Sequence, residues 1–532
     1  MPARNNKCIE MKIRHIILSL AALAVTGLQA AENIKFNPTL GMGEEYASPT
    51  GDLLTHAVPK EFPQECTSKW NVSIDGHATG LYNDLNFWGG FVHFGSFEMH
   101  NGRKTTIHIS YEEKLDSFEI LPIHRLNLMK VERTGANSID ITLSQANQNI
   151  TIVPNGQLKG NVLHIFCNAT DEDSAPKVEW KSGYHVDDAA KLVWFGPGFH
   201  DLKTLTGDYH MLIKNGYTVY LAPGAVVYGS MQMHSVEKGT RLCGRGMLYN
   251  DDANRAVIFS ADNCQGADVE GIIMHGHRKT CWLTVVNHSQ NVEFKHAKIL
   301  STRYASTDGI DVVNSNNCIF LNTFVRANDD AIAIKGLEDK PTPECTPNYN
   351  LTFCGMQLWN DCNCAIGIGA ESHCSLYDRI SFLNCDVLFS YDDPDYHCVL
   401  DERAALTINC LHGTYYRNIR YENIDVYHCE RFIAAGFQPD FWFGVIKGDH
   451  TSPGGMSDIK YINVRSLNKS TSPIANKIRL YGWPGTDNTP VKLVTDVTFR
   501  NVCVDGKTLH SADEPEFSET DFDTVKDLHF EL

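Results

Sequence analysis

A degenerate repeat runs through the second half of the chain and limits its fold more than any other feature. Its copies read NVEFKHAKI from Asn291, NCIFLNTFV from Asn317, NLTFCGMQL from Asn350, RISFLNCDVL from Arg379, NIRYENIDV from Asn418, DIKYINVRSL from Asp458 and DVTFRNVCV from Asp496. Each has a turn residue, an alternating run, a small or Asn position and a second apolar pair. The first apolar positions, 292, 318, 351, 380, 419, 459 and 497, are spaced by 26, 33, 29, 39, 40 and 38 residues. A unit this short cannot bury a face alone, and its period of two is that of a strand, so the copies must stack as coils of a solenoid. We therefore expect an all-β chain with a right-handed parallel β-helix over 181–532. Coils of constant core and variable insertion place their long loops on one flank, where such loops build a groove.

Ahead of the repeat, short alternating runs recur without helical periodicity: TTIHISY (Thr105 to Tyr111), SIDITLS (Ser138 to Ser144), ITIVPNG (Ile150 to Gly156) and VLHIFCN (Val162 to Asn168). Turn residues separate them, which predicts an antiparallel β-sandwich over 31–180. The polar stretch NATDEDSAPK (Asn168 to Lys177) reads as the junction. At the N-terminus, Lys12 and Arg14 precede an apolar run from Ile16 to about Val25 and small residues at Ala30 and Ala31. That order is a secretory signal over 1–30, with Met11 as an alternative start, and the run is too short to span a bilayer. A secreted or periplasmic protein is expected, cleaved near Ala30/Ala31.

Composition narrows the partners. The 532 residues carry a formal charge of -18, a field that repels nucleic acid and anionic lipid, and a mean hydropathy of -0.26 leaves no room for repeated membrane spans. Several of the 17 cysteines occupy strand-like positions suited to buried thiols, among them Cys318, Cys354, Cys385 and Cys503. A disulfide among Cys345, Cys354, Cys362, Cys364 and Cys374 is open, and Cys362 and Cys364 lack the spacing of a zinc site. DDPDYHC (Asp392 to Cys398) lacks the glycine of a calcium loop. We expect no metal and no cofactor.

Within the repeat lie STDGIDV (Ser306 to Val312) and RANDDAIAIKG (Arg326 to Gly336). Asp308 precedes Asp329 by one coil, so the two fall on neighbouring rungs about 4.8 Å apart. Asp329 and Asp330 are consecutive and reach one groove only at a bend between strands. Taken singly, Asp-Gly and Asn-Asp fill turns; in coil register they place three carboxylates together. Their mutual repulsion keeps a proton on at least one, leaving an acid beside a base, which is what glycoside hydrolysis needs.

These segments resemble the polygalacturonases, glycoside hydrolase family 28, whose pattern runs NTDG, a paired Asp and CIAI. They are also similar to the dextranase and isopullulanase group, family 49, which sets a β-sandwich before its β-helix. WFGPGFHDL (Trp194 to Leu202) and LIKNGYTVYLAPGAVVYGSM (Leu212 to Met231) resemble the first coils of such enzymes. The resemblance implies a hydrolase that inverts the anomeric centre, with Asp329 as general acid and with Asp308 and Asp330 holding and deprotonating the water. Two departures bear on substrate. Cys364 stands where polygalacturonases have the His of GHG, and Thr407 and Asn409 stand where they have the Arg and Lys of RIK. A uronate bound among aspartates needs that basic pair, so a neutral polysaccharide or oligosaccharide, dextran-like or galactan-like, is expected.

Asn328, Lys335, Glu371, Arg403, Thr407 and Asn409 complete the candidate substrate contacts, and Lys335 and Arg403 are the cations that keep a uronate open. Trp359, Tyr391, Tyr396, Phe441 and Trp442 are candidate stacking aromatics. A polysaccharide lyase and a noncatalytic glycan-binding solenoid are the rival readings; the aspartate cluster separates both from a hydrolase.

Overall fold

The computed structural model describes residues 33–171, 174–251, 257–277, 282–301, 304, 306–391, 403–440, 447–468, 472 and 474–532. The signal segment, Asp392 to Cys398, Tyr396, Phe441 and Trp442 lie outside the described residues.

Two sheets of seven and five strands occupy the N-terminal part, from strand Tyr46–Ala47 to strand Val162–Ala169. The runs expected at 105, 138, 150 and 162 are strands Thr105–Tyr111, Ser138–Leu143, Gln148–Pro154 and Val162–Ala169. Their alternate residues, including Ile107, Ile109, Ile139, Ile141, Ile152 and Leu163, close one core between the sheets. Most pairings are antiparallel, but strands Phe91–Met99 and Val162–Ala169 run parallel.

From Tyr184 onward the chain winds a right-handed parallel β-helix whose walls are a sheet of 23 strands and a sheet of ten. The repeat explains itself in backbone terms. Its first residue adopts positive φ in every copy: Asn291, Asn317, Asn350, Arg379, Asn418, Asp458 and Asp496. The position five residues later does so again at His296, Asn322, Gly355, Asn384, Asn423, Asn463 and Asn501. These are the two corners of a coil, and Asn and Asp tolerate the left-handed region because their short side chains hydrogen-bond locally. At the second corner the amides form a ladder, Asn501 donating to Asn463, Asn463 to Asn423 and Asn423 to Asn384, at 2.9–3.0 Å.

Inside, the repeat's aromatic position stacks from coil to coil. Phe294, Phe320, Phe353, Phe382, Tyr421, Tyr461, Phe499 and Phe530 follow one another with ring centroids 4.6–5.5 Å apart. This is the rung spacing of a parallel sheet. Coils of the same build already run from strand Leu192–Phe195, four rungs before the first copy visible in the sequence.

The sandwich is not a loose appendage. Val58, Phe62, Tyr82, Phe94 and Phe166 share one apolar cluster with Tyr249, Ile273, Phe324, Trp359 and Phe389 of the solenoid. Trp359, a candidate stacking aromatic, belongs to this core: it is fully buried and its ring lies 4.8 Å from that of Phe389.

Candidate active site

The ten-stranded sheet carries the site. In strand Ile310–Val313, Ile310 and Val312 point into the core, so Asp311 faces out. The outward column runs from Asp311 through Ala333 and Gly367 to Thr407, one residue per coil. Asp308 lies in the turn before strand Ile310–Val313, and Asp329 and Asp330 in the turn before strand Ile332–Leu337, one rung on. The main chain locks the turns together, Gly309 N–H donating to Asp330 O at 2.8 Å. Gly309 makes this approach possible, because a Cβ there would stand 2.3 Å from Val325 and 2.6 Å from Ala331 O. The Asp-Gly pair thus serves coil packing and site at once.

The bend brings all three carboxylates together, with oxygens within 4.8 Å of one another. Asp308 and Asp330 are buried and Asp329 is half-buried. Three N–H groups orient Asp329: Ser306 N donates to Oδ2 at 2.8 Å, and Asn363 Nδ2 and Asp330 N donate to Oδ1 at 2.8 and 3.0 Å. Cys364 N donates to Asp330 Oδ1 at 3.0 Å. Lys335 Nζ stands 2.8 Å from Asp308 and 3.0 Å from Asp311, beneath the ring of Trp282 at 4.1 Å.

The electrostatics follow from burial. Desolvation pushes Asp308 up to about 6, against the pull of Lys335 and with the repulsion of Asp329. Asp330 is held well above the usual carboxylate range by burial, then by the charges of Asp329 and Asp308. Burial and the neighbouring Asp308 do the same to Asp311. Burial alone would favour a neutral Lys335 amine, but Asp308 and Asp311 hold the ammonium well above its ordinary range.

The remaining sequence candidates divide. Lys335 is 4 % exposed and paired with two carboxylates. Thr407 is buried, its hydroxyl exchanging hydrogen bonds with Ala404. Asn409 and Glu371 are half-buried, Glu371 within electrostatic reach of Asp308 and Lys335. Arg403 is buried near the Cys364 thiol, which burial and then Asp330 hold far above its ordinary value. Asn328 is 1 % exposed, and neither polar atom of its side chain has a hydrogen-bond partner among the described residues. No disulfide joins any two of Cys345, Cys354, Cys362, Cys364 and Cys374. Asp311, Trp282 and Asn363 escaped the sequence reading; the outward parity of Asp311 in the run IDVV was the available signal.

Among the described residues, two clusters stand close enough to hold a cation: the three aspartates, and His124 with Asp386 and Asp425. Protein cations already sit at both, Lys335 in the first and Arg465, 2.7 Å from Asp425, in the second.

The model of the glycosyl hydrolases family 28 matches residues 215–367, a span that includes all three aspartates and Cys364. No curated protein matches the sequence. Among solved structures, Dex49A from Penicillium minioluteum is similar over 92% of this chain and 100% of its own, with a TM-score of 0.64 at 13% identity. The family 28 exopolygalacturonase of Yersinia enterocolitica aligns over 81% of this chain and 97% of its own, with a TM-score of 0.40 at 12% identity. The sequence likeness therefore centres on the coils that carry the aspartates, and the likeness to Dex49A is one of fold.

Proposed function

We propose that this chain, a glycoside hydrolase of the family 28 and dextranase type, is an exported enzyme that hydrolyses a neutral polysaccharide with inversion, with Asp329 as acid and Asp308 and Asp330 on the water. The observation that carries the reading is the aspartate cluster, two of its members buried and one half-buried. Three carboxyls within 4.8 Å, served by one ammonium, retain a proton near neutral pH and so offer an acid beside a base. Asp329, the more exposed, is the one that can reach a leaving oxygen. A water accepted between Asp308 and Asp330 needs oxygens no farther apart than about 5.6 Å, twice an ordinary O–H···O distance, and the cluster meets that.

Inversion draws its support from the resemblance. The usual gap between acid and base in inverting enzymes is about 6.5–9.5 Å, wider than the nearest-oxygen spacing here. Proton NMR of the first product anomer decides it, and a retained configuration would overturn this part.

The neutral substrate is supported by the loss of the basic pair at Thr407 and Asn409 and by the engagement of Lys335 with two aspartates. Arg403 favours the alternative, a uronate, since its charge reaches the Cys364 thiol beside Asp330. The test is reducing-sugar release from dextran, galactan and polygalacturonate by wild type and Asp329→Asn, both shown to be folded. Release from a neutral glycan by wild type alone supports the reading, release from polygalacturonate transfers the substrate to uronates, and undiminished activity in the variant removes Asp329 from the mechanism.

A further inference from the structure

We propose that Lys335 and Asp311 are positioning residues that decide which buried carboxyl of the site is ionised, the shared ammonium keeping Asp308 as the base while the cluster's proton resides elsewhere. The inference rests on the role given to Asp308 above.

The geometry is that of a bridge across two coils. Asp308 and Asp311 flank the start of strand Ile310–Val313, Lys335 lies in the next coil in register with Val313, and Trp282 covers the ammonium from the preceding coil. Among the described residues Lys335 is the ion-pair partner of the Asp311 carboxylate, at 3.0 Å, whereas Asp330 receives the main-chain N–H of Cys364. The charges of Asp329 and Asp330 from the neighbouring turn and of Glu371 from strand Ile366–His373 reach this bridge, and the Arg403 guanidinium lies near the Cys364 thiol beside Asp330. Lys335 is paired with Asp308 and Asp311, its charge also reaches Asp330, and it favours the ionised form of those it touches. A buried ammonium satisfied by two aspartates cannot also pair with a substrate carboxylate without abandoning one of them, which makes a ligand role costly. Burial raises Asp308 to about 6 and holds Asp330 and Asp311 well above the usual carboxylate range, so the cluster keeps protons that the ammonium can redistribute.

The two partners act on Asp308 with opposite signs, and that makes the inference testable. Lys335→Met removes the stabilising charge, so the acidic limb of the kcat profile should move to higher pH by about one unit or more, a tenfold loss of rate per unit on that limb. Asp311→Asn removes a carboxyl that competes for the ammonium and leaves Lys335 to Asp308, so the limb should move to lower pH. KM should stay near the wild-type value in both. The rates are read on whichever polysaccharide of the panel wild type cleaves. Melting temperature against pH is read in parallel without substrate, where Asp311→Asn should gain on wild type as pH rises. Limbs displaced in opposite directions support the proposal. Limbs displaced the same way, a raised KM on an unmoved limb, or altered melting with an unmoved limb would each overturn it, the second naming Lys335 a substrate ligand and the last a structural ion pair. If Lys335→Met fails to fold, the downward shift in Asp311→Asn alone decides. Failure of the catalytic reading shows separately, as undiminished activity in Asp329→Asn.

Discussion

Two buried cations of one coil do opposite things. Arg326, fully buried where the sandwich meets the solenoid, makes a bidentate pair with Asp361, Nε to Oδ2 and Nη2 to Oδ1, each at 3.0 Å. The Trp359 indole donates to Asp361 Oδ1 and His164 Nε2 receives Arg326 Nη1, both at 3.0 Å. Burial, then the guanidinium, hold His164 well below its ordinary value, which keeps it neutral and able to accept. Charge is matched one to one. Lys335 instead faces two aspartates with a third behind them, and charge cannot be matched without a proton. Matched burial makes a rivet between domains; unmatched burial makes a group that must titrate, and titration is what acid–base chemistry uses.

The comparison can be broken at either end. The largest effect is expected at the unmatched cluster: Asp329→Asn should lower kcat by about 10²–10⁴-fold with little change in melting temperature, as read by initial rates and calorimetry. Next, Arg326→Met should cost about 3–5 kcal/mol by leaving Asp361 charged and unpaired, seen in chemical denaturation, while the acidic limb of the rate profile stays in place. Loss of that limb's position in Arg326→Met would merge two clusters that we treat as separate.

A smaller effect concerns pH in the wild type. Asp308 is raised to about 6, so as a base it loses its ionised form as pH falls through that value, and rates should drop about tenfold per unit below it. The smallest is a gain in stability. The folded-state value of Asp330 is raised, so its contribution favours folding below the unfolded carboxyl value and is lost as pH rises through the folded one. Asp330→Asn keeps the acceptor for Cys364 N–H and removes the charge. It should melt about 1–3 °C higher than wild type at pH 8 with no advantage at pH 4, and an equal gain at both values would assign the effect to packing.

Much of the solenoid was legible because its information is local. Period-two burial marks strands, and Asn or Asp at two fixed positions marks corners where few other residues tolerate positive φ. The four earlier coils were missed because their corners fall on less regular residues such as Lys191 and on glycines such as Gly244 and Gly271. In the site, the spacing of Asp308 from Asp329 sufficed, since one coil equals one rung. Alternation places Lys335 outward, and nothing in IAIKG tells that two aspartates of the preceding coil pair with it. Trp359 misled as a stacking candidate: its side chain leaves the solenoid core, but the sandwich covers it.

The sequence by itself determined the coil, the corners and the meeting of three acids, because each depends on residues within one turn of the chain. Only the tertiary structure decided which acids are buried, which cation is engaged and which aromatics meet solvent. Those depend on the register between coils and on a second domain laid across them, and burial, unlike periodicity, is set by residues far away in the chain.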